Sequence, residues 1–193
     1  MSLRLHNSLS DQKEDFVPLR EGRVTLYVCG PTVYNDSHLG HAKTYVSFDV
    51  ILRYLKYRGF STFYVQNITD VGHLMGDADE GEDKMLKRAR ELELEPMAVA
   101  ETYTTRHFQA MDRMGVIRPD ICPRATGHIP EQLEAIEKMI QAGLAYEVNG
   151  SVYFDVSKDP EYGKLSNRSF EEMQEGARVE VCLLYTSPSP RDS

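Results

Sequence analysis

The sequence is poor in cysteine, has no long apolar run and carries no excess of basic charge. Three scattered cysteines in 193 residues do not make a disulfide framework, and reduced thiols in a cytoplasmic protein are the simplest expectation. No apolar run approaches the roughly 18 residues of a membrane span, so no membrane partner is expected. The first residues, MSLRLHNSLSDQKEDF, lack the apolar core of a secretion signal. Lys and Arg number 22 against 30 Asp and Glu, a net charge of −8. That balance argues against a freestanding nucleic-acid-binding module. It leaves room for an enzyme that touches nucleic acid through one patch. Internal repeats and long linkers are also missing.

What is present is an ordered run of elements. Arg23 to Cys29 (RVTLYVC) is apolar and β-branched, and Gly30-Pro31 ends it, as at the end of a buried strand. Gly40 to Tyr57 reads as a helix stopped by Arg58-Gly59. Ser61 to Val65 (STFYV) reads as a second strand. Strand, helix and strand in succession predict a βαβ unit, a parallel sheet and an α/β fold. Helices are then expected over Gly81–Leu94, Pro96–Met114 and His128–Ala142. Leu144 to Val156 reads as a hairpin turning at Asn149-Gly150. Ser169-Phe170-Glu171-Glu172 reads as a capping box opening a short helix.

Ligands of open parallel sheets bind at the carboxyl ends of the strands. The first end carries Cys29, Gly30, Pro31, Thr32, Val33 and Tyr34, and the second carries Asn67, Thr69 and Asp70. The loop from Pro31 to His41 then feeds the N-terminus of a long helix, where free N–H groups and the helix dipole favour an anion. Gly40 removes a side chain where a ligand must come close. His38 and His41 can donate hydrogen bonds to phosphate oxygens. Plainer roles also suit these residues. A lone cysteine ending a strand is often a small buried hydrophobe. Two histidines at i and i+3 are a weak metal signal. His107 lies near an apolar stripe and reads as a core or rim histidine. The cluster Lys84, Lys87, Arg88 and Arg90 alternates with acidic residues and reads first as a solvated helix face, second as a patch for an RNA backbone.

His38-Leu39-Gly40-His41 resembles the HIGH signature of class I aminoacyl-tRNA synthetases. Its context, YVCGPTVYNDSHLGHAKTYVSFDVILRYL followed by YVQNITD, resembles the cysteinyl-tRNA synthetase family. RPDICPRATGHI, NGSVYFDV, YGKLSNR and GARVEV resemble it in the same order, so the likeness runs from about residue 3 to Val181. The resemblance implies the first half of a Rossmann-like parallel sheet over residues 1–118 and the start of an inserted helical and hairpin connective region over 119–181. It implies a ligase that activates L-cysteine with ATP and Mg2+ and transfers it to tRNA(Cys), acting as a cytoplasmic monomer. His38 and His41 would stabilise the phosphates. Pro31, Thr32 and Gly40 would bind ATP with them, and Gly30, Thr32 and Thr69 would hold the substrate cysteine. Cys29 matches a zinc ligand of the family, and that zinc has an open coordination position for the substrate thiolate, which zinc prefers to a serine hydroxyl.

The chain also departs from that family. The family's other zinc ligands, its KMSKS loop and its anticodon-binding region lie beyond Val181, so the fragment alone is expected to be inactive. An acidic pair and a lysine common after the ITD stretch are replaced by Val71-Gly72-His73-Leu74. A mycothiol-pathway ligase, built on the same template, and a non-catalytic nucleotide- or RNA-binding paralogue remain alternatives. The last twelve residues, CLLYTSPSPRDS (182–193), resemble a translated sequencing adapter and are expected to be non-native.

Overall fold

The structure, a computed structural model, describes residues 2–71 and 83–167. The expected capping box at Ser169–Glu172, the start of the helix expected from Gly81, most of the departure after Asp70 and the tail from Cys182 lie outside the described residues. Contacts divide the chain into two units, residues 18–129 and residues 1–17 with 130–193.

In the unit of residues 18–129, the strands that follow the terminal hairpin are β3 (Arg23–Val28) and β4 (Ser61–Gln66). Helix α1 (Leu39–Tyr57) connects them. They pair in parallel, with Arg23 opposite Ser61 and Val28 opposite Gln66. A parallel pair cannot be closed by a tight turn, and α1 is the crossover. Its first element, His38, caps it, and Gly59 ends it at φ +87 with its N–H on the Lys56 carbonyl. Residues 120–125 run beside the other edge of β4. Gln66 N–H donates to Ile121 O and Ile68 N–H to Pro123 O, and the bridges Val65–Ile121 and Ile68–Arg124 are parallel. The expected βαβ unit is therefore present. Among the described residues it is a two-stranded pair with this short strip, not a wider sheet.

Two apolar clusters hold the unit. Val28, Tyr45, Leu52, Tyr64 and Met111 join the strands to α1 and to α3 (Pro96–Arg113). Val33, Ile68, Met85, Ala89, Val99, Ala100 and Tyr103 join the two strand-end loops to α3 and to α2 (Lys84–Leu92). Helix α2 starts at Lys84 because the Asp83 carboxylate accepts from Met85 N–H and Leu86 N–H. Pro96 opens α3, where its missing N–H costs nothing.

The other unit begins with an antiparallel hairpin, β1 (Arg4–Asn7) and β2 (Gln12–Asp15). Its turn passes through Asp11 at φ +54. Helix α4 (Ile129–Gln141) is followed by β5 (Ala145–Val148) and β6 (Ser151–Phe154), an antiparallel pair. Asn149 and Gly150 sit at φ +52 and +81, as a two-residue I′ turn requires. Tyr146 and Tyr153, directly opposite, stack with centroids 5.9 Å apart. No described helix is long and apolar enough to cross a membrane.

Candidate functional site: the paired strand ends and the start of the crossover helix

Beyond Val28 and Gln66 the two strand ends stay knitted together. Val33 N–H donates to Thr69 O at 3.2 Å and Thr69 N–H to Pro31 O at 3.0 Å, which sets Thr32 beside Thr69. Gly30 lies against the backbone of Asn67: a Cβ at position 30 would fall 1.5 Å from the Asn67 carbonyl oxygen. Only glycine lets the chains approach so closely. The Asn67 side chain completes the join. Its Oδ1 accepts from Gly30 N–H at 2.8 Å and from the Tyr27 hydroxyl at 2.9 Å, and its Nδ2 donates to Thr69 Oγ1 at 3.1 Å. The sequence places Asn67 at a strand end but does not reveal this role. Asp70 is buried, and its carboxylate accepts from the Thr126 N–H and hydroxyl. It pins the 3-10 turn at Thr126–His128 and is committed to structure.

The helix start is built from two histidines. His38, extended at φ −107 and ψ 179, is the N-cap of α1, and its Nδ1 accepts from Gly40 N–H at 3.0 Å. His41 Nδ1 accepts in return from His38 N–H at 3.2 Å. This is a capping box made with imidazoles in place of the usual hydroxyl and carboxylate. A Cβ on Gly40 would lie 2.8 Å from His38 Cε1. Gly40 is therefore needed first to let the His38 ring fold over the first turn. Both Nδ1 atoms act as acceptors, so each neutral ring carries its proton on Nε2. The rings lie 4.1 Å apart. Burial, and then the neighbouring His38, hold the His41 pKa below the ordinary histidine value. At neutral pH His41 is thus a neutral donor at Nε2. The first turn of α1 contains no acidic residue, so the positive end of the helix is not neutralised locally.

Tyr45, one turn further along α1, ties this end to β3. Its hydroxyl donates to the Cys29 carbonyl at 3.2 Å. Burial, then Tyr64 and Cys29, push its pKa upward, so it stays a donor. Its ring lies parallel to His41, at 6.4 Å, and edge-on to His107, at 5.1 Å. The Cys29 thiol is free and exposed. Among the described residues no group of three His, Cys, Asp or Glu is placed to hold a metal ion. A separate cavity of about 230 Å³ is lined by Tyr34, Asn35, Lys84, Lys87, Arg88 and Glu91. There the Lys84 ammonium sits 5.6 Å above the Tyr34 ring, and Arg88 is occupied by Glu91 and the Tyr103 hydroxyl.

The structure thus brings Gly30, Pro31, Thr32 and Thr69 together at one strand-end junction. His38, Gly40 and His41 form the first turn of the helix that follows, and Tyr45 links that helix to Cys29. Tyr45 carries no motif that would have marked it in the sequence, and Asn67 was marked only by its place at the end of the second strand.

Residues 15–187 match the family described as tRNA synthetases class I (C) catalytic domain. A cysteine–tRNA ligase of Chlorobaculum tepidum is 57% identical over 183 residues, covering 92% of this chain and 38% of that protein. One from Thermus thermophilus is 55% identical over 181 residues, covering 94% and 38%. One from Bacteroides thetaiotaomicron is 53% identical over 174 residues, covering 89% and 35%. The chain therefore spans little more than a third of the length of these relatives. A LeuRS of Agrobacterium radiobacter K84, solved in a ternary complex, shares the fold at 20% identity and a TM-score of 0.52, over 68% of this chain and 16% of that one. With the family match covering most of its length, this chain belongs to the class I (C) tRNA synthetase catalytic domain family.

Proposed function

We propose that this chain is part of a cysteine–tRNA ligase, which activates L-cysteine with ATP and Mg2+ and passes the cysteinyl group to tRNA(Cys). The observation that carries this reading is the reciprocal histidine cap. His38 and His41 each commit Nδ1 to the backbone and keep an Nε2–H donor, at a helix end whose first turn carries no acidic residue. In the activation step a carboxylate oxygen of cysteine attacks the α-phosphorus of ATP. The new O–P bond forms as the bond to the bridging oxygen breaks, and pyrophosphate leaves. Donors fixed before the reaction stabilise charge on the phosphate without reorganising.

In this reading Pro31, Thr32 and Gly40 bound the nucleotide with the two histidines, and Gly30, Thr32 and Thr69 bound the amino acid. The sheet belongs to a Rossmann-like catalytic domain over residues 1–118, followed by a connective insertion over 119–181, with 182–193 a non-native tail. The enzyme works as a cytoplasmic monomer. Cys29 is read as one zinc ligand. It offers a single exposed thiol, and the described residues bring no two further donors beside it. The described part does not fit a zinc ion by itself.

The test is ATP–pyrophosphate exchange by the full-length protein, with cysteine against serine, followed by charging of tRNA. Cysteine-dependent exchange with charging supports the reading. Exchange without charging moves the acceptor to another molecule, such as an amino sugar. No exchange rejects it. The 193-residue chain alone is expected to show no exchange, and exchange by that chain would overturn the expectation.

A further inference from the structure

We infer that His107 is a positioning residue for the histidine pair, acting through Ser37 on the loop that enters α1. This rests on the reading of His38 and His41 given above. His107 lies in α3, far from the HIGH stretch in sequence, and is only 2% exposed. Its Nδ1 is 2.8 Å from Ser37 Oγ. Ser37 immediately precedes the cap residue His38. The neighbouring Arg106 holds Asp36 through Nη1–Oδ2 at 3.0 Å. Two successive residues of α3 thus grip two successive residues of the loop, directly before the extended His38 that the cap requires.

A second path leaves the same ring. Tyr45 packs edge-on to His107, lies parallel to His41 and donates to the Cys29 carbonyl. One imidazole therefore borders both halves of the site: His38 through Ser37, and His41 with Cys29 through Tyr45.

Packing alone does not account for a histidine here. Its Nε2 is buried and finds no hydrogen-bond partner among the described residues, which an apolar ring of similar size would avoid. The nitrogen that is used is the one facing Ser37. Burial, then His41 and Arg118, push the His107 pKa down to about 4. The ring is therefore neutral at pH 7 and adds no charge beside the histidine pair.

The first experiment uses the 193-residue chain and nitrogen-15 NMR of its imidazoles. The native chain gives His38 and His41 signals of fixed Nε2–H tautomers. His107→Phe and Ser37→Ala each convert these to exchange-averaged signals, while far-UV circular dichroism is retained. His107→Asn, whose side-chain oxygen can stand in for Nδ1, preserves the fixed tautomers. Unchanged His38 and His41 signals in Ser37→Ala overturn the proposal, and this variant serves even if His107→Phe does not fold.

The second experiment is cysteine-dependent pyrophosphate exchange in the full-length protein. His107→Phe is expected to lower kcat by roughly tenfold to a hundredfold, as misplacement of catalytic groups does, with KM values nearly unchanged. Combining it with Ser37→Ala adds no further loss, and His107→Asn restores most of the rate. An unchanged kcat, or losses that multiply in the double variant, overturns the proposal. Absence of exchange in the native protein instead rejects the ligase reading, and the NMR result then decides the positioning role alone.

Discussion

The two units of this chain reach their folds by different means. Residues 18–129 bury nearly all of the described apolar core, from Val24 to Met111. The described part of the other unit buries only Ala145 among its apolar residues, and α4 buries none. Its hairpins are set by local chemistry: Asn149-Gly150, the stacked Tyr146–Tyr153 pair and a polar strand ladder from Arg4 to Asp15. Burial specifies the first unit, and turn geometry specifies the elements of the second. The candidate site lies in the unit that burial specifies, the kind of packed support that groups aimed at a reacting centre require.

Substitutions can break this contrast. Leu52 is 1% exposed, within the cluster that joins α1, α3 and the strands. Leu52→Ala should cost about 2–5 kcal/mol in denaturant melts, whereas Leu133→Ala, at a position 55% exposed, should cost under about 0.5 kcal/mol. Equal losses would abolish the distinction. Two glycines sharpen it. At Gly30 an added Cβ collides with the Asn67 backbone, so Gly30→Ala should cost roughly 3 kcal/mol through overpacking and disturb Thr69 signals in NMR.

The pH dependence belongs to the buried unit as well. The unfolded chain protonates His107 at its ordinary value of 6.5, while the folded chain holds it near 4. The unfolded state therefore takes the proton first as pH falls. Stability is intact above 6.5 and is lost toward 4, at up to about 1.4 kcal/mol per pH unit from this group. His107→Phe should flatten that part of the stability profile, and an unaltered slope would place the titration elsewhere. Smallest is Gly150→Ala. No described atom lies within 4 Å of its added Cβ, but φ is +81. About 1 kcal/mol of local strain is expected, read as faster amide exchange in β5 and β6 with α1 unaffected.

The parts legible in the sequence are those with a strong local signal. RVTLYVC followed by Gly-Pro gave β3, the apolar helix stopped at Gly59 gave α1, and Asn-Gly gave the β5–β6 hairpin. The β1–β2 hairpin escaped because RLHN and QKED carry no apolar alternation: every residue but Leu5 is exposed. The strip beside β4 escaped because residues 119–125 contain two prolines and pair only through two isolated bridges, at Ile121 and Arg124. At the site, the histidine pair was visible as a motif. Its geometry was not, since a sequence does not say which ring nitrogen a backbone N–H will occupy. His107 was readable as a core or rim histidine, and the structure buries it. The hydrogen bond to Ser37 spans 70 residues, and no local pattern encodes a contact of that range.

The imidazole cap also sets a conflict between two kinds of selection. Aspartate, asparagine and serine are the better helix caps in isolation. An aspartate at position 38 could satisfy the first turn of α1 and gain from the helix dipole. It would also place a full negative charge where the unneutralised helix end now faces outward, and repel any anion arriving there. A library screened for heat resistance alone should drift toward acidic residues at positions 38 and 41. The same library screened for phosphate affinity should drift back to histidine, and the gap between the two outcomes would measure how much robustness the helix gives up at its first turn.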